Sequence, residues 1–145
     1  MQFSLDTNSA NYIIRAYTPL ELIVTPPQDM AHDVKRIQDP RFGNQPVALE
    51  LITSTSLIMP RQLVKDWTNI PYDEITAEEL AKVQQYQPEI VLLGSGTSLK
   101  WPAQGVRESL MAQGIGVEVM DSGAACRTYN ILVEEQRHVV AIVFL

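Results

Sequence analysis

The amino-acid sequence predicts an α/β domain around a mixed, partly parallel sheet with crossover helices. Three features carry this. The run over 90–93 is apolar without alternation, as in a strand buried on both faces. Two further apolar runs, over 115–120 and 138–145, follow at intervals long enough to hold a helix each. Such strand–helix–strand spacing implies parallel pairing of at least two of these strands, through right-handed crossovers.

Taken in order, residues 12–25 read as two short strands joined near Thr18 and Pro19, on their β-branched content and flanking prolines. Segment 26–46 holds Pro26, Pro27, Pro40, Pro46 and the Gly43-Asn44 pair, and reads as a long surface loop with a short helix around 30–37. Residues 47–52 and 56–59 read as a second pair of strands, made a hairpin by the turn Thr53-Ser54-Thr55. Pro60 then stops pairing, having no amide donor. Residues 66–73 read as irregular. Thr76-Ala77-Glu78-Glu79 matches a helix capping box, with Glu79 reaching back to the threonine. Leu80, Val83 and Tyr86 continue it as an apolar stripe, and Gln87-Pro88 ends it. A helix is expected over 102–113, with Val106, Leu110 and Met111 on one side and Gly114 as its C-terminal cap. The strand over 115–120 leads to a helix over 122–135, capped by Asp121 or Ser122. On that helix Ala125, Tyr129 and Leu132 share one face, and Leu132 is expected to be fully buried. The strand over 138–145 closes the chain.

The chain's 145 residues suit one domain, and 46% hydrophobic against 19% charged residues is a globular composition. A net charge of −6 argues against nonspecific nucleic-acid binding and against docking on an anionic membrane. Cys126 is the only cysteine, so no intrachain disulfide forms, in keeping with a reducing compartment. No basic region followed by an apolar run opens the sequence, and the longest apolar run, 139–145, is too short to span a bilayer. The expectation is a soluble cytoplasmic protein without membrane insertion.

Two strand exits hold the candidate chemistry. The first is Gly94-Ser95-Gly96-Thr97. Its glycines permit close backbone approach, and consecutive amides there can cradle an anion. The dinucleotide fingerprint and the phosphate loop both fail, because Leu99 replaces the third glycine of one and Trp101 follows Lys100 in the other. The turn is either a ligand loop or a tight strand exit. The second group is Asp121, Ser122, Cys126, Arg127 and Asn130. A helix N-terminus and Arg127 can depress the Cys126 thiol pKa, yet no general base stands beside it, and its Ala-Ala-Cys context equally suits a buried structural cysteine. Arg127 either clamps an anion or pairs with Glu118, Asp121 or Glu134. Asn130 either cross-links loops or lies on the surface. His32 and His138 lack metal-ligand spacing, and no serine sits in a nucleophile elbow, so neither a metal, a cofactor nor a catalytic residue is expected. Trp67 and Trp101 read as packing residues, with Trp101 alternatively an exposed partner anchor.

Leu92-Leu93-Gly94-Ser95-Gly96-Thr97, the block Gly114-Ile115-Gly116-Val117-Glu118-Val119-Met120-Asp121, and Ala125-Cys126-Arg127-Thr128-Tyr129-Asn130-Ile131-Leu132 with Glu135 and Arg137 together resemble a small single-domain family. Ser56-Leu57-Ile58-Met59-Pro60 with Val64 and Trp67 fits its middle segment. Members occur in bacteria, archaea and eukaryotes and are mostly of unknown function. They include a mitochondrial assembly factor for respiratory complex I and an adipogenesis-associated domain protein. The resemblance covers about Asn11 to the C-terminus. It implies a single three-layer α/β domain with a β-hairpin layer packed on the mixed sheet, and it implies no catalytic residue. Against the family pattern, 26–46 is an insertion and Ser95 replaces a threonine common in relatives. Two function classes follow. One is a noncatalytic binding or assembly module with a protein partner. The other is a small-molecule or anion-binding protein, or weak enzyme, using a pocket at Gly94 to Thr97 and Asp121 to Asn130.

Overall fold

The computed structural model describes residues 9–31, 34, 36–40 and 46–145. Among them the strands are, in chain order, Ile13–Thr18 (β1), Glu21–Thr25 (β2), Arg36–Ile37 (β3), Val47–Ala48 (β4), Glu50–Ile52 (β5), Ser56–Ile58 (β6), Leu63–Val64 (β7), Ile90–Gly94 (β8), Gly116–Met120 (β9) and Val139–Val143 (β10). The helices are Ala77–Ala81 (α1), Val106–Met111 (α2) and Ser122–Glu134 (α3). A five-stranded sheet runs β7-β6-β10-β8-β9. A three-stranded sheet runs β1-β2-β5, and β3 pairs with β4.

β8 lies parallel to β9 on one side and to β10 on the other, while β6 is antiparallel to β10. The chain moves one way from β8 to β9, then back past β8 to β10. Right-handed crossovers travelling in opposite directions place their helices on opposite faces of the sheet. Accordingly α2 packs by Val106 and Leu110 on one face, against Val91, Leu93, Val140 and Ile142. α3 packs by Ala125, Cys126 and Tyr129 on the other, against Leu92, Val139 and Ala141. Successive residues of β8 and β10 thus enter different cores, which is why their sequences show no alternation. The small sheet adds Ile14, Leu22, Val24 and Ile52 to the α3 side. The result is the three-layer, partly parallel α/β domain anticipated from sequence.

Local signals explain most of the ends. Thr76 caps α1, its Oγ1 accepting from the Glu79 amide at 3.1 Å, but the expected capping box is only half made: the Glu79 carboxylate pairs with Lys82 at 2.9 Å instead of reaching back to Thr76. That helix tightens into a 3-10 turn over Lys82–Tyr86 and stops at Gln87, whose φ of 52° is left-handed, one residue before Pro88. Gly114, at φ 79°, ends the helical segment before β9, as its sequence position suggests.

Four expectations need correction. Residues 47–52 and 56–59 form strands but not a hairpin: β5 pairs with β2, whereas β6 pairs with β10 and β7. The turn at 53–55 carries the chain between sheets. The reason is burial: Ser56, Leu57 and Ile58 are all buried and need cover on both faces, which a hairpin with β5 would not supply. Around 30–37, Arg36–Ile37 is a strand against Val47–Ala48 rather than part of a helix; so short a helix is marginal, and pairing with buried Val47 prevails. His32 and the Gly43-Asn44 pair lie outside the described residues. The α2 helix begins at Val106, not 102, because Gly105 at φ 90° turns the chain into it. Met111, one residue past Leu110, rotates into solvent, 51% exposed.

Candidate functional site

The two strand exits lie side by side. After β8 the chain departs toward α2, and after β9 it departs toward α3 on the opposite face. The strand order reverses at β8, with β9 on one side and β10 on the other, so the crevice of an open α/β sheet falls between the ends of β8 and β10. The turns are zipped together: Gly96 donates its amide to Ser122 Oγ at 2.9 Å, and the Ser122 amide donates to Gly96 O at 2.8 Å. Ser122 Oγ also donates to Phe144 O at 2.9 Å, tying the end of β10 to the same point. Gly94 is required by proximity: a Cβ there would sit 3.0 Å from Ser122 Oγ and 3.1 Å from Ser122 Cα.

Asp121 caps α3, its Oδ1 accepting from the Ala124 amide at 2.8 Å. The helix N-terminus therefore holds a carboxylate of its own chain. Cys126 is fully buried one turn on. Burial pushes its thiol pKa up strongly; Arg127 pulls the other way and loses. Arg127 and Thr97 are exposed. Asn130 points away from the turns, into β1: its Nδ2 donates to Ile14 O at 2.8 Å and its Oδ1 accepts from Ile14 N at 3.0 Å. Of the nine candidate residues, Gly94, Ser95, Gly96, Asp121 and Ser122 converge. Cys126 and Asn130 belong to the packing beneath.

Ser95 has a different task from the one its glycine neighbours suggest. It is buried, and its Oγ donates to Ser98 O at 2.7 Å, with Met120 O also in reach at 3.1 Å. The same oxygen accepts from Lys100 N at 3.1 Å. From the far side Tyr72 donates its hydroxyl to Lys100 O at 2.5 Å. The loop over 95–101 is thus held from within, and it presents Leu99 at 53% and Trp101 at 62% exposure. Arg107 lies over the Trp101 ring, 4.9 Å from its centroid. Behind the loop is a cleft of about 500 Å³, lined by Tyr72, Asp73, Ser95, Gly96, Lys100 and Phe144. A second cavity, of about 560 Å³, sits at the other end of β10 between Met59, Tyr86, Val133 and Arg137.

Sequence reasoning missed Tyr72, Lys100 and Tyr17. Burial raises the Tyr72 phenol to about 12, with Asp73 adding to the effect. The Tyr17 hydroxyl is shielded from solvent near Ser122 and Asp121, outside hydrogen-bond geometry with either. Nothing local marks these residues, since each meets the site through tertiary contact. Among the described residues no cluster of three His, Cys, Asp or Glu side chains could hold a metal ion.

Residues 40–144 match the model of a protein family described as "protein of unknown function (DUF498/DUF598)". The chain belongs to this family. Its curated relatives include the "13 kDa major membrane protein" of Francisella tularensis subsp. holarctica, 39% identical over 56 residues, which are 39% of this chain and 46% of that protein. They also include NADH dehydrogenase [ubiquinone] 1 alpha subcomplex assembly factor 3 of Bos taurus, 33% identical over 82 residues, covering 55% of this chain and 44% of the relative. The matched stretch thus spans about half the length of these curated relatives. A crystal structure of a Bordetella parapertussis protein superposes with a TM-score of 0.68 at 26% identity, over 94% of this chain and 97% of that one. The family likeness, including complex I assembly factors, agrees with the resemblance read from the sequence. Among the described residues no helix is long and apolar enough to cross a membrane, although one relative is named as a membrane protein.

Proposed function

We propose that this protein is a noncatalytic binding module that docks a protein partner through the loop over 95–101, in the manner of an assembly factor. The observation that carries the reading is the pairing of exposure with internal hydrogen-bond bracing. Leu99 and Trp101 stand in solvent on a loop braced by Ser95 and Tyr72. Exposed apolar side chains on a loop that is already ordered lose little entropy on binding, and tryptophan flanked by arginine is the composition of interface hot spots. The relatives named as assembly factors for NADH dehydrogenase support a role in building a larger complex. We place that role in the cytoplasm.

The test is affinity capture from the native host with the wild type and with Leu99→Ser/Trp101→Ser. A defined protein lost from the variant, and rebinding as a purified component to the wild type alone, supports the reading. Identical captures by two equally stable proteins would refute it.

A second reading rests on the cleft behind the loop. It lies at the carboxyl ends of the parallel strands, where open α/β sheets bind small molecules. The amides of Gly96, Ser122 and Ala124 already have acceptors. Recognition of a small anion would therefore fall to Lys100, which lies 3.8 Å from Asp73. Phosphate titration monitored at Lys100 and Ser95 separates this reading from the first.

A further inference from the structure

β9 is an open edge. The Gly116 amide donates to Glu89 O at 3.1 Å, and Met120 O accepts from Ser95 N at 2.8 Å. Gly116, Glu118 and Met120 therefore turn their backbone groups toward β8. In a parallel ladder the intervening residues turn theirs outward. The N–H and C=O of Val117 and Val119 face away from the sheet, and among the described residues no strand pairs with them. Proteins protect such edges with proline, lysine, a bulge or a covering element. β9 has no proline or lysine, and its register with β8 is unbroken. The contrast with β1 is direct, because there the Asn130 side chain occupies both backbone groups of Ile14.

The side chains of β9 specify what fits. Val117 and Val119 lie on the α2 face, half-buried in that core. Glu118, on the opposite face, is exposed and is the only charged residue of the strand. We propose that the β9 edge takes up an extended segment of a partner protein as an added strand, with apolar residues alternating with lysine or arginine. The apolar residues extend the Val117–Val119 row, and the basic ones lie beside Glu118. Charge selects this occupant over a second copy. Two antiparallel β9 strands centred on Glu118 would set carboxylate against carboxylate, in chains that each carry a net charge of −6. The inference deepens the binding-module reading and rests on it, but it uses a surface other than the 95–101 loop.

The experiment follows amide signals of the full chain on titration with a short peptide of alternating valine and lysine. Two control peptides are the glutamate counterpart and a version N-methylated at alternate backbone amides. The expected result is movement at Val117 and Val119 with the first peptide and none with the N-methylated one. Glu118→Lys should weaken the lysine peptide by roughly tenfold and favour the glutamate peptide. Val119→Pro removes an outward N–H without touching the β8 ladder, so it should abolish binding while the protein stays folded. Equal binding of the N-methylated peptide, or no movement at β9, overturns the proposal. So does a concentration-dependent dimer whose signals map to β9, because the edge is then filled by a second copy. If the peptide fails while Leu99→Ser/Trp101→Ser still loses a partner, the edge proposal falls and the binding-module reading stands.

Discussion

Asn130 of α3 holds Ile14 of β1 by both of its backbone groups, donating to Ile14 O at 2.8 Å and accepting from Ile14 N at 3.0 Å across 116 residues of sequence. A carboxamide carries an N–H and a C=O side by side, as a peptide group does, so the side chain stands in for a neighbouring strand. The contact sits just before the bulge at Arg15, where the β1–β2 register shifts. Removing it would strand two buried backbone groups.

The first prediction concerns this contact. Asn130→Ala should destabilise the protein by roughly 2–4 kcal/mol, since each orphaned buried group costs about 1–3 kcal/mol. Asn130→Leu should be no better, because volume does not replace the lost partners. Urea midpoints within error of wild type for both variants would show that Ile14 finds other partners.

Tyr129 and Leu132 carry the second. Tyr129 is fully buried and donates its hydroxyl to Tyr12 O at 2.9 Å, whereas Leu132 keeps 9% exposure and so falls just short of the complete burial expected from sequence. Leu132→Ala should cost about 2–4 kcal/mol through lost transfer energy and a cavity. Tyr129→Phe should cost only about 1 kcal/mol, the net worth of one hydrogen bond, plus the effect of leaving Tyr12 O unpaired. Equal losses for the two variants would contradict this ordering.

The half of the chain from Thr76 onward was legible because its determinants are local. Caps at Thr76 and Asp121, the stop at Gln87-Pro88, and the apolar runs of β8 and β10 each act within a few residues. The earlier half was harder because its decisive contacts are remote. Thr53-Ser54-Thr55 looks like a hairpin turn by composition, but the destination of β6 is set by β10, which lies more than eighty residues downstream. The same division holds at the site. The adjacency of the two turns follows from the crossover pattern. That Ser122 Oγ would satisfy the Gly96 amide, or Ser95 brace the loop to Lys100, depends on side-chain direction. Asn130 illustrates the limit: one polar residue on a helix gives no sign of a partner at Ile14.

The third prediction tests the closeness of α3 to β8. Gly94→Ala places a methyl group 3.0 Å from Ser122 Oγ and 3.2 Å from Ala125 Cβ, so the helix must shift. The cost should be about 1–3 kcal/mol, as for other overpacked positions. Gly96→Ala acts differently: nothing lies within 4 Å of its Cβ, but φ is +99°, so any loss comes from backbone strain. The double variant Gly94→Ala/Ser122→Gly should recover part of the first loss and no more, since Ser122 also bonds Phe144 O. Full recovery would show that those hydrogen bonds contribute little.

The last prediction is alkaline. Burial raises the Cys126 thiol, the Tyr129 phenol and, to about 12, the Tyr72 phenol. Each group is neutral when folded and ionises more readily once unfolded. Below the unfolded pKa both states bind the proton, and stability is unaffected. Above it the unfolded chain has released the proton while the folded chain retains it, so stability falls as pH rises. The decline should open near pH 8.5, where an unfolded thiol ionises, and steepen near 10 with the tyrosines. Cys126→Ala should remove the first part of that decline and leave the second. The same burial implies that the native thiol reacts with alkylating reagents only through opening of the α3 packing, so its modification rate should fall in step with added stability. Rapid alkylation of the folded protein at neutral pH, or a urea midpoint constant from pH 8 to 11, would contradict the placement of Cys126 in the core.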